Sequence, residues 1–232
     1  MKKYSKGYNK NAELIENPLY SLEEGIGVLK KMESAKFDET VEFTAKLGVD
    51  VRQSEQQVRG TLILPHGVGK KIKMIVIAKG EKLTEAEEAG ADVVGSEELV
   101  EKIKGGWVDF DILLTTPDMM KSVGMLGKVL GKRGLMPSPK TGTITFDIKK
   151  AINDFRKGKV EYRADKFGIV HMPVGKKSFD DKKLMENIQA IYEVLLKVKP
   201  ASAKGVYVKG TYLAATMSPG IDIDSSTIVE KV

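Results

Sequence analysis

The chain has 232 residues, enough for one large domain or two modest ones, and 41% of them are hydrophobic. Its 38 Lys and Arg outnumber its 32 Asp and Glu, and the absence of cysteine excludes disulfides, thiolate nucleophiles and cysteine metal ligands. The basic N-terminus has no apolar signal-peptide core, and no apolar run approaches the roughly 18 residues of a membrane span, so we expect a cytoplasmic globular protein without membrane contact.

The N-terminal third predicts one helix followed by two strands. Ser21 and Glu24 form the capping box of an amphipathic helix. Apolar and polar residues alternate strictly over 40–51, which predicts a strand with one buried and one outward face. A second strand over 61–64 ends at Pro65.

The middle of the chain predicts an α/β block. Strands are predicted over 72–78, 91–94 and 110–114, with helices capped by Thr84 and Ser96 between them and another helix from Asp147. Alternation of strands and helices with short links is typical of a doubly wound parallel sheet. Between Asp118 and Asp147 we expect a basic loop, which contains five Lys and Arg and no acid.

The C-terminal third changes pattern again. Residues 160–164 and 169–174 predict two strands paired with each other. A long amphipathic helix follows, capped by Ser178 and ended by Pro200. A strand over 206–214 and a turn over 217–220 complete the chain.

Glycine-containing joints flank the α/β block. Because the N-terminal flank offers only two strands, too few for a stable sheet, we expect both chain ends to form one α+β domain. The expected domains are 1–66 with 160–232, and an inserted α/β domain, 67–159, entered through a two-stranded linker. Glycines at the joints would permit a hinge, namely Gly67, Gly69 and Gly158. One continuous domain is the alternative.

The sequence gives little support to an enzymatic function. No G-x-G-x-x-G follows the first strand of the block, and the P-loop-like stretches after Gly67 and Gly127 have the wrong glycine spacing and no Ser or Thr after the lysine. His66 and His171 are the two histidines, without metal-ligand spacing. We therefore expect no catalytic residue, metal or cofactor, and a nucleotide-dependent enzyme remains a poorly supported alternative.

Charge is zoned along the chain. Residues 81–101 carry eight acids and one base, whereas 194–221 carry four lysines and no acid. The segment 131–143 combines glycines, prolines and basic residues, which suits close approach to a phosphate backbone. A polyanion would favour the C-terminal region and the basic loop.

Several motifs resemble landmarks of one family, in the family's order. The segment GKRGLMPSPK, residues 131–140, resembles the signature of bacterial large-subunit ribosomal protein one, the protein of the mobile ribosomal stalk. Residues 37–42, 59–67, 162–166 and 216–220 match further family landmarks. The resemblance implies a two-domain protein, monomeric when free, that binds stalk rRNA near the exit site, assists release of deacylated tRNA and represses its own operon mRNA. A stand-alone translational repressor is the alternative.

The resemblance also implies RNA contacts in the first domain. They fall on Lys36, Phe37, Thr40, Glu42, Lys46, Asp165, Lys166, Gly168, His171, Thr216 and Met217, to which Thr44 and the turn residues Ser218 and Gly220 are added. Alternation places the polar residues of 40–46 on one outward face, where they could meet ribose hydroxyls and phosphates. A plain solvated face, a core role for Phe37 and a packed Met217 are the alternatives.

The sequence also contains a second set of basic residues and differs from the common family pattern at three positions. The set lies in the inserted domain at Lys128, Lys132, Arg133 and Lys140. Lys132, Ser138 and Ser218 stand where the family commonly has proline, asparagine and glycine. The Cβ of Ser218 is expected to require a small readjustment of the turn.

Overall fold

The computed structural model describes residues 5–33 and 35–228. The chain forms two compact units, one built from residues up to Gly69 together with those from Val160 onward, the other from Lys70 to Lys159. None of the helices within the described ranges is long and apolar enough to cross a membrane.

The first unit contains a four-stranded sheet. Its elements are α1 (Lys6–Glu13), α2 (Leu22–Lys31), β1 (Thr40–Leu47), β2 (Arg59–Ile63), β6 (Lys159–Arg163), β7 (Ile169–Lys176), α8 (Asp181–Lys197), β8 (Val208–Ala215) and β9 (Ile221–Ile223). The sheet has the order β7-β1-β8-β9 with antiparallel neighbours. Strand β1 from the N-terminal third is thus held between two strands of the C-terminal third.

One face of this sheet is covered by helices. Phe43 and Leu213 are almost completely buried, as are Ile26 of α2 and Ile188 of α8, and all belong to one apolar cluster. The register of β1 against β7 shifts between Val41 and Glu42. The shift lies opposite Pro173, which has no N–H for the ladder and is tolerated because β7 is an edge strand.

A separate two-stranded sheet joins β2 to β6. The predicted pairing of 160–164 with 169–174 is therefore wrong, since β6 pairs with β2 and β7 with β1. The backbone explains the difference. The amide of Ala164 donates to Val58 O, which continues the β2 partnership, and the chain then turns at 165–168 into another sheet.

The second unit is a doubly wound α/β structure. Its elements are β3 (Met74–Ile77), α3 (Glu81–Glu88), β4 (Val93–Gly95), α4 (Glu97–Lys104), β5 (Ile112–Thr115), α5 (Met120–Gly124), α6 (Gly127–Arg133) and α7 (Ile148–Arg156). The three strands are parallel in the order β4-β3-β5. Apolar clusters cover both faces, one around Ile75 and Ile103 and the other around Val76 and Ile152. The predicted fold class, α+β and doubly wound α/β, is confirmed.

Helix starts follow the sequence signals unevenly. The capping box of Ser21 and Glu24 is present at the start of α2. Thr84 instead lies inside α3, where its hydroxyl donates to Glu81 O, and the predicted cap is wrong. Ser178 does not cap α8 either, since Asp180 occupies the N-cap position and the Ser178 hydroxyl donates to the Asp38 carboxylate at 2.7 Å.

Candidate nucleic-acid interface

Polar side chains line the face of the four-stranded sheet opposite the helices. In β1 the buried residues Val41, Phe43, Ala45 and Leu47 alternate with the outward residues Thr40, Glu42, Thr44 and Lys46. The strand ends at Leu47, earlier than the alternation predicts. We call the outward side of β7, β1 and β8 the polar face.

The strand register brings three side chains into one row across the polar face. Thr44 of β1 lies opposite His171 of β7 on one side and Tyr212 of β8 on the other. The Thr44 hydroxyl is 3.1 Å from His171 Nδ1, and which atom donates depends on the imidazole tautomer. The structure therefore joins two residues that are separated by 127 positions in the sequence.

Tyr212 was not among the predicted site residues. Its ring extends over the neighbouring backbone, since a Cβ added to Gly210 would lie 2.9 Å from the Tyr212 hydroxyl oxygen. The sequence does carry a signal for it, because Tyr212 alternates with the buried residues Thr211 and Leu213. An aromatic ring on an outward sheet face can stack on an unpaired base.

Charged side chains occupy the rows on either side. Glu42 lies opposite Pro173 and Ala214, and Lys46 lies opposite Ile169 and Gly210. Both charged side chains are exposed, and neither has an ion-pair partner among the described residues. Their carboxylate and ammonium groups are available to a ligand.

A turn over residues 165–168 borders the polar face. The Asp165 carboxylate accepts hydrogen bonds from the amides of Ile169 and Phe167, each at 2.8 Å. These bonds, that from Ile169 above all, and the charges of His171 and Lys166 lower the pKa of Asp165 below its ordinary value. Asp165 thus stays ionised near neutral pH and organises the turn.

The same turn depends on a glycine with a left-handed backbone. Gly168 has φ +76°, and a Cβ there would lie 3.0 Å from Leu47 O and 3.2 Å from Val49 O. Gly168 O in turn accepts a hydrogen bond from the Leu47 amide at 2.8 Å. The turn is therefore held directly against the end of β1.

Phe167, which was not predicted, is 67% exposed, with the Lys166 ammonium 5.2 Å from its ring centre.

The C-terminal turn lies beside the start of β1. The Thr216 hydroxyl accepts a hydrogen bond from the Thr40 amide at 3.1 Å and is placed to donate to Thr40 O at 3.3 Å. The Ser218 hydroxyl accepts from the Ala215 amide at 2.8 Å. Among the described residues no non-glycine has a positive φ, so the backbone of Ser218 lies outside the left-handed region that favours glycine.

Buried Glu39, also missed, holds the two loops at this end of the sheet together. Its carboxylate accepts from the amides of Ala35 at 2.7 Å and Met217 at 3.0 Å. Phe37 and Met217 themselves are 54% and 60% exposed, so the interpretations of Phe37 as core and of Met217 as packed are wrong. The remaining predicted residues here, Lys36 and Gly220, are exposed as well.

The second basic set lies in the other unit. Lys128, Lys132 and Arg133 are on α6, and Lys140 is in the 3₁₀ turn Pro139–Thr141. The predicted loop is wrong for 120–124 and 127–133, which are helical. The missed signal is the spacing of Val123, Leu126 and Leu130, all buried against the sheet. All four basic side chains are exposed.

The second unit shows little that suits nucleotide chemistry. A cavity of about 330 Å³ is lined by Met74 at the amino end of β3, with Phe155 and Arg156. Ligands of open α/β folds bind instead at the carboxyl ends of the strands. Within residues 5–33 and 35–228, no group of three or more acidic or histidine side chains could hold a metal ion.

A mixed α/β chain whose sheet presents hydroxyl, imidazole, carboxylate and ammonium groups beside exposed aromatic rings fits the class of RNA-binding proteins. The sequence matches the ribosomal protein L1p/L10e family over residues 29–219, and the chain belongs to that family. It is accordingly a ribosomal protein of the large subunit that binds rRNA. The family consists of structural RNA-binding proteins.

Proposed function

We propose that the polar face, the turn at 165–168 and the turn at 216–220 together bind the stalk region of large-subunit rRNA near the exit site, as in the bacterial stalk protein. The observation that carries the proposal is the row His171–Thr44–Tyr212, which joins three segments distant in sequence into one outward surface. Hydroxyl, imidazole and carboxylate groups can bond 2′-hydroxyls and bases, and unpaired lysines can neutralise phosphates.

On this proposal the protein is not an enzyme. It assists release of deacylated tRNA from the exit site, and it represses its own operon mRNA when that message presents a mimic of the rRNA site. Free protein is monomeric and cytoplasmic. The two units act as domains, 1–66 with 160–232 and 67–159, that hinge at Gly67, Gly69 and Gly158. All three glycines have a positive φ, a conformation that glycine adopts without strain and that other residues disfavour.

The inserted domain adds a weaker, basic contact through Lys128, Lys132, Arg133 and Lys140. These four exposed side chains have no ion-pair partner among the described residues. Three of them lie on the helix α6, and the turn that carries Lys140 is held by hydrogen bonds from the hydroxyls of Thr141 and Thr143 to Ser138 O, at 3.0 and 3.1 Å. A preordered basic surface can engage phosphates without first losing conformational freedom.

The test is binding of the full chain to a folded stalk rRNA fragment across a salt series, beside Thr216→Val. The variant loses the bonds to Thr40, and we expect about tenfold weaker binding, the equivalent of one hydrogen bond. Thr84→Val is the matched control, since it removes an exposed hydroxyl bonded to Glu81 O in the other unit.

The outcomes separate the parts of the proposal. Tight binding that Thr216→Val leaves unchanged would support RNA binding as the function but would show that the site does not include Thr216. No preference over an unrelated hairpin would refute the proposed stalk site. Co-sedimentation with the large subunit distinguishes the ribosomal role from that of a stand-alone repressor, and competition by the operon mRNA tests autoregulation.

A further inference from the structure

An open groove lies beyond the end of β1. It is lined by Gly48, Asp50, Gln53, Ser202, Lys204 and Lys209, among others, and has a volume of about 550 Å³. This size is within the range of about 300–1,000 Å³ that is usual for ligand sites. Its walls are the segment after β1 and the segment that leads into β8.

Hydrogen bonds within the wall after β1 keep the groove formed. Gln56 is buried, and its side-chain oxygen accepts from the Asp50 amide at 2.8 Å. The Gln56 amide group donates to the Gln53 side chain at 2.9 Å. The backbone of Gly48 donates to Tyr207 O at 2.6 Å and so ties this wall to the opposite one.

The opposite wall is basic. Lys204 and Lys209 are exposed, and no carboxylate of the described residues lies within 4 Å of either ammonium. The side chain of Lys209 lies close to Gly48 of the other wall, since a Cβ at Gly48 would lie 3.2 Å from Lys209 Cε. Asp50 also lines the groove, but its carboxylate accepts a hydrogen bond from the Arg52 amide.

The groove adjoins the polar face. Lys46, in the last outward row, lies opposite Gly210, and the register of β1 against β8 shifts at the next position, so that the exposed Lys209 has no partner residue in β1. On the other side Gly168 packs on the backbone of Leu47 and Val49, which places the turn at 165–168 beside the groove. An RNA strand on the polar face that passes Lys46 would reach Lys209 and then Lys204.

We propose that this groove binds the sugar–phosphate backbone of the RNA strand that leaves the polar face, with Lys204 and Lys209 as its phosphate contacts. The inference rests on the proposed function and extends its footprint. Because phosphate contacts position RNA without reading its sequence, this groove contributes affinity and salt dependence and little specificity.

The experiment compares the full chain with the double variant Lys204→Gln/Lys209→Gln. The dissociation constant for the folded stalk fragment is measured at several salt concentrations. The slope of log K against log salt concentration is negative, and each lost phosphate contact reduces its magnitude by about 0.7–0.9. The double variant should therefore reduce the magnitude of the slope by about 1.4–1.8. Affinity for an unrelated hairpin should fall by a similar factor.

The matched control is Lys182→Gln/Lys183→Gln, which makes the same change of charge on exposed residues of α8, the helix packed on the opposite side of the sheet. Its slope should stay close to that of the unaltered chain. An equal reduction of the slope in both variants would show a general effect of charge and overturn the proposal that the groove binds phosphates. An unchanged slope in Lys204→Gln/Lys209→Gln would also overturn it, whereas failure of the unaltered chain to prefer stalk RNA would refute the proposed stalk site itself.

Discussion

The buried carboxylate of Glu39 accepts a hydrogen bond from the amide of Met217, although the two residues are 178 positions apart. Its other oxygen accepts from the Ala35 amide. One side chain thus holds the loop before β1 against the C-terminal turn, and both loops carry exposed residues of the proposed RNA site.

Glu39→Gln should destabilise the protein. Glutamine offers one acceptor oxygen in place of two and leaves one backbone amide unpaired, so the free energy of unfolding should fall by about 1–3 kcal/mol. Urea denaturation measures this. Glu42→Gln is the control, since Glu42 is exposed on the polar face and its loss should change stability by less than about 0.5 kcal/mol. Equal destabilisation in both variants would contradict the role of Glu39.

Gly168→Ala should be more destabilising than Gly205→Ala. The two glycines have similar φ, +76° and +81°, so each alanine adopts an unfavourable left-handed conformation that costs about 1–2 kcal/mol. At Gly168 the new Cβ also approaches two carbonyl oxygens, whereas at Gly205 it meets no atom within 4 Å. Chemical denaturation should show a larger loss at Gly168 by about 1 kcal/mol or more. Equal losses of unfolding free energy in the two variants would mean that the turn at 165–168 can move away from β1 without a cost in stability.

Tyr212→Ala should weaken stalk RNA binding by about 1–3 kcal/mol if its ring stacks on a base, which corresponds to roughly 5- to 150-fold. Tyr212→Phe keeps the ring and should retain most of the affinity. Fluorescence anisotropy with the same RNA fragment measures both. A phenylalanine variant as weak as the alanine variant would assign the effect to the hydroxyl group, and unchanged binding in both would place Tyr212 outside the interface.

Tyr207 should make stability depend on alkaline pH. Burial, with a smaller contribution from Tyr162, raises the pKa of Tyr207 to about 12. In the unfolded chain a tyrosine hydroxyl ionises near pH 10. The contribution of the neutral Tyr207 hydroxyl to the free energy of unfolding is therefore full below about pH 10 and is lost as the pH rises through about 12. Tyr207→Phe should remove this part of the pH dependence.

The comparison is made by urea denaturation at pH 8 and pH 11. The Tyr207 hydroxyl is buried without a hydrogen-bond partner among the described residues. Its removal should therefore leave stability at pH 8 unchanged or raise it by about 1 kcal/mol. A substantial loss of stability at pH 8 would indicate an unseen partner, and an equal pH 11 loss in both proteins would contradict the raised pKa.

Much of the fold was predictable because its signals are local. Alternation in β1, the capping box of α2 and the strand–helix alternation of the middle block each depend on neighbouring residues, whose periodicity reports which side is buried. The prediction failed at α6, which was expected to be part of a basic loop although the buried Leu126 and Leu130 indicate a helix. Composition there outweighed spacing in the prediction.

By itself the sequence determined the fold class, the outward set on β1 and the family resemblance. Only the tertiary structure decided that β6 pairs with β2, that Tyr212 stands beside Thr44, and that Glu39 bridges two loops. Strand partners and buried carboxylate bonds join residues more than a hundred positions apart, so no local period reveals them. They follow from which pairing lets the whole sheet bury its apolar face while satisfying its backbone hydrogen bonds.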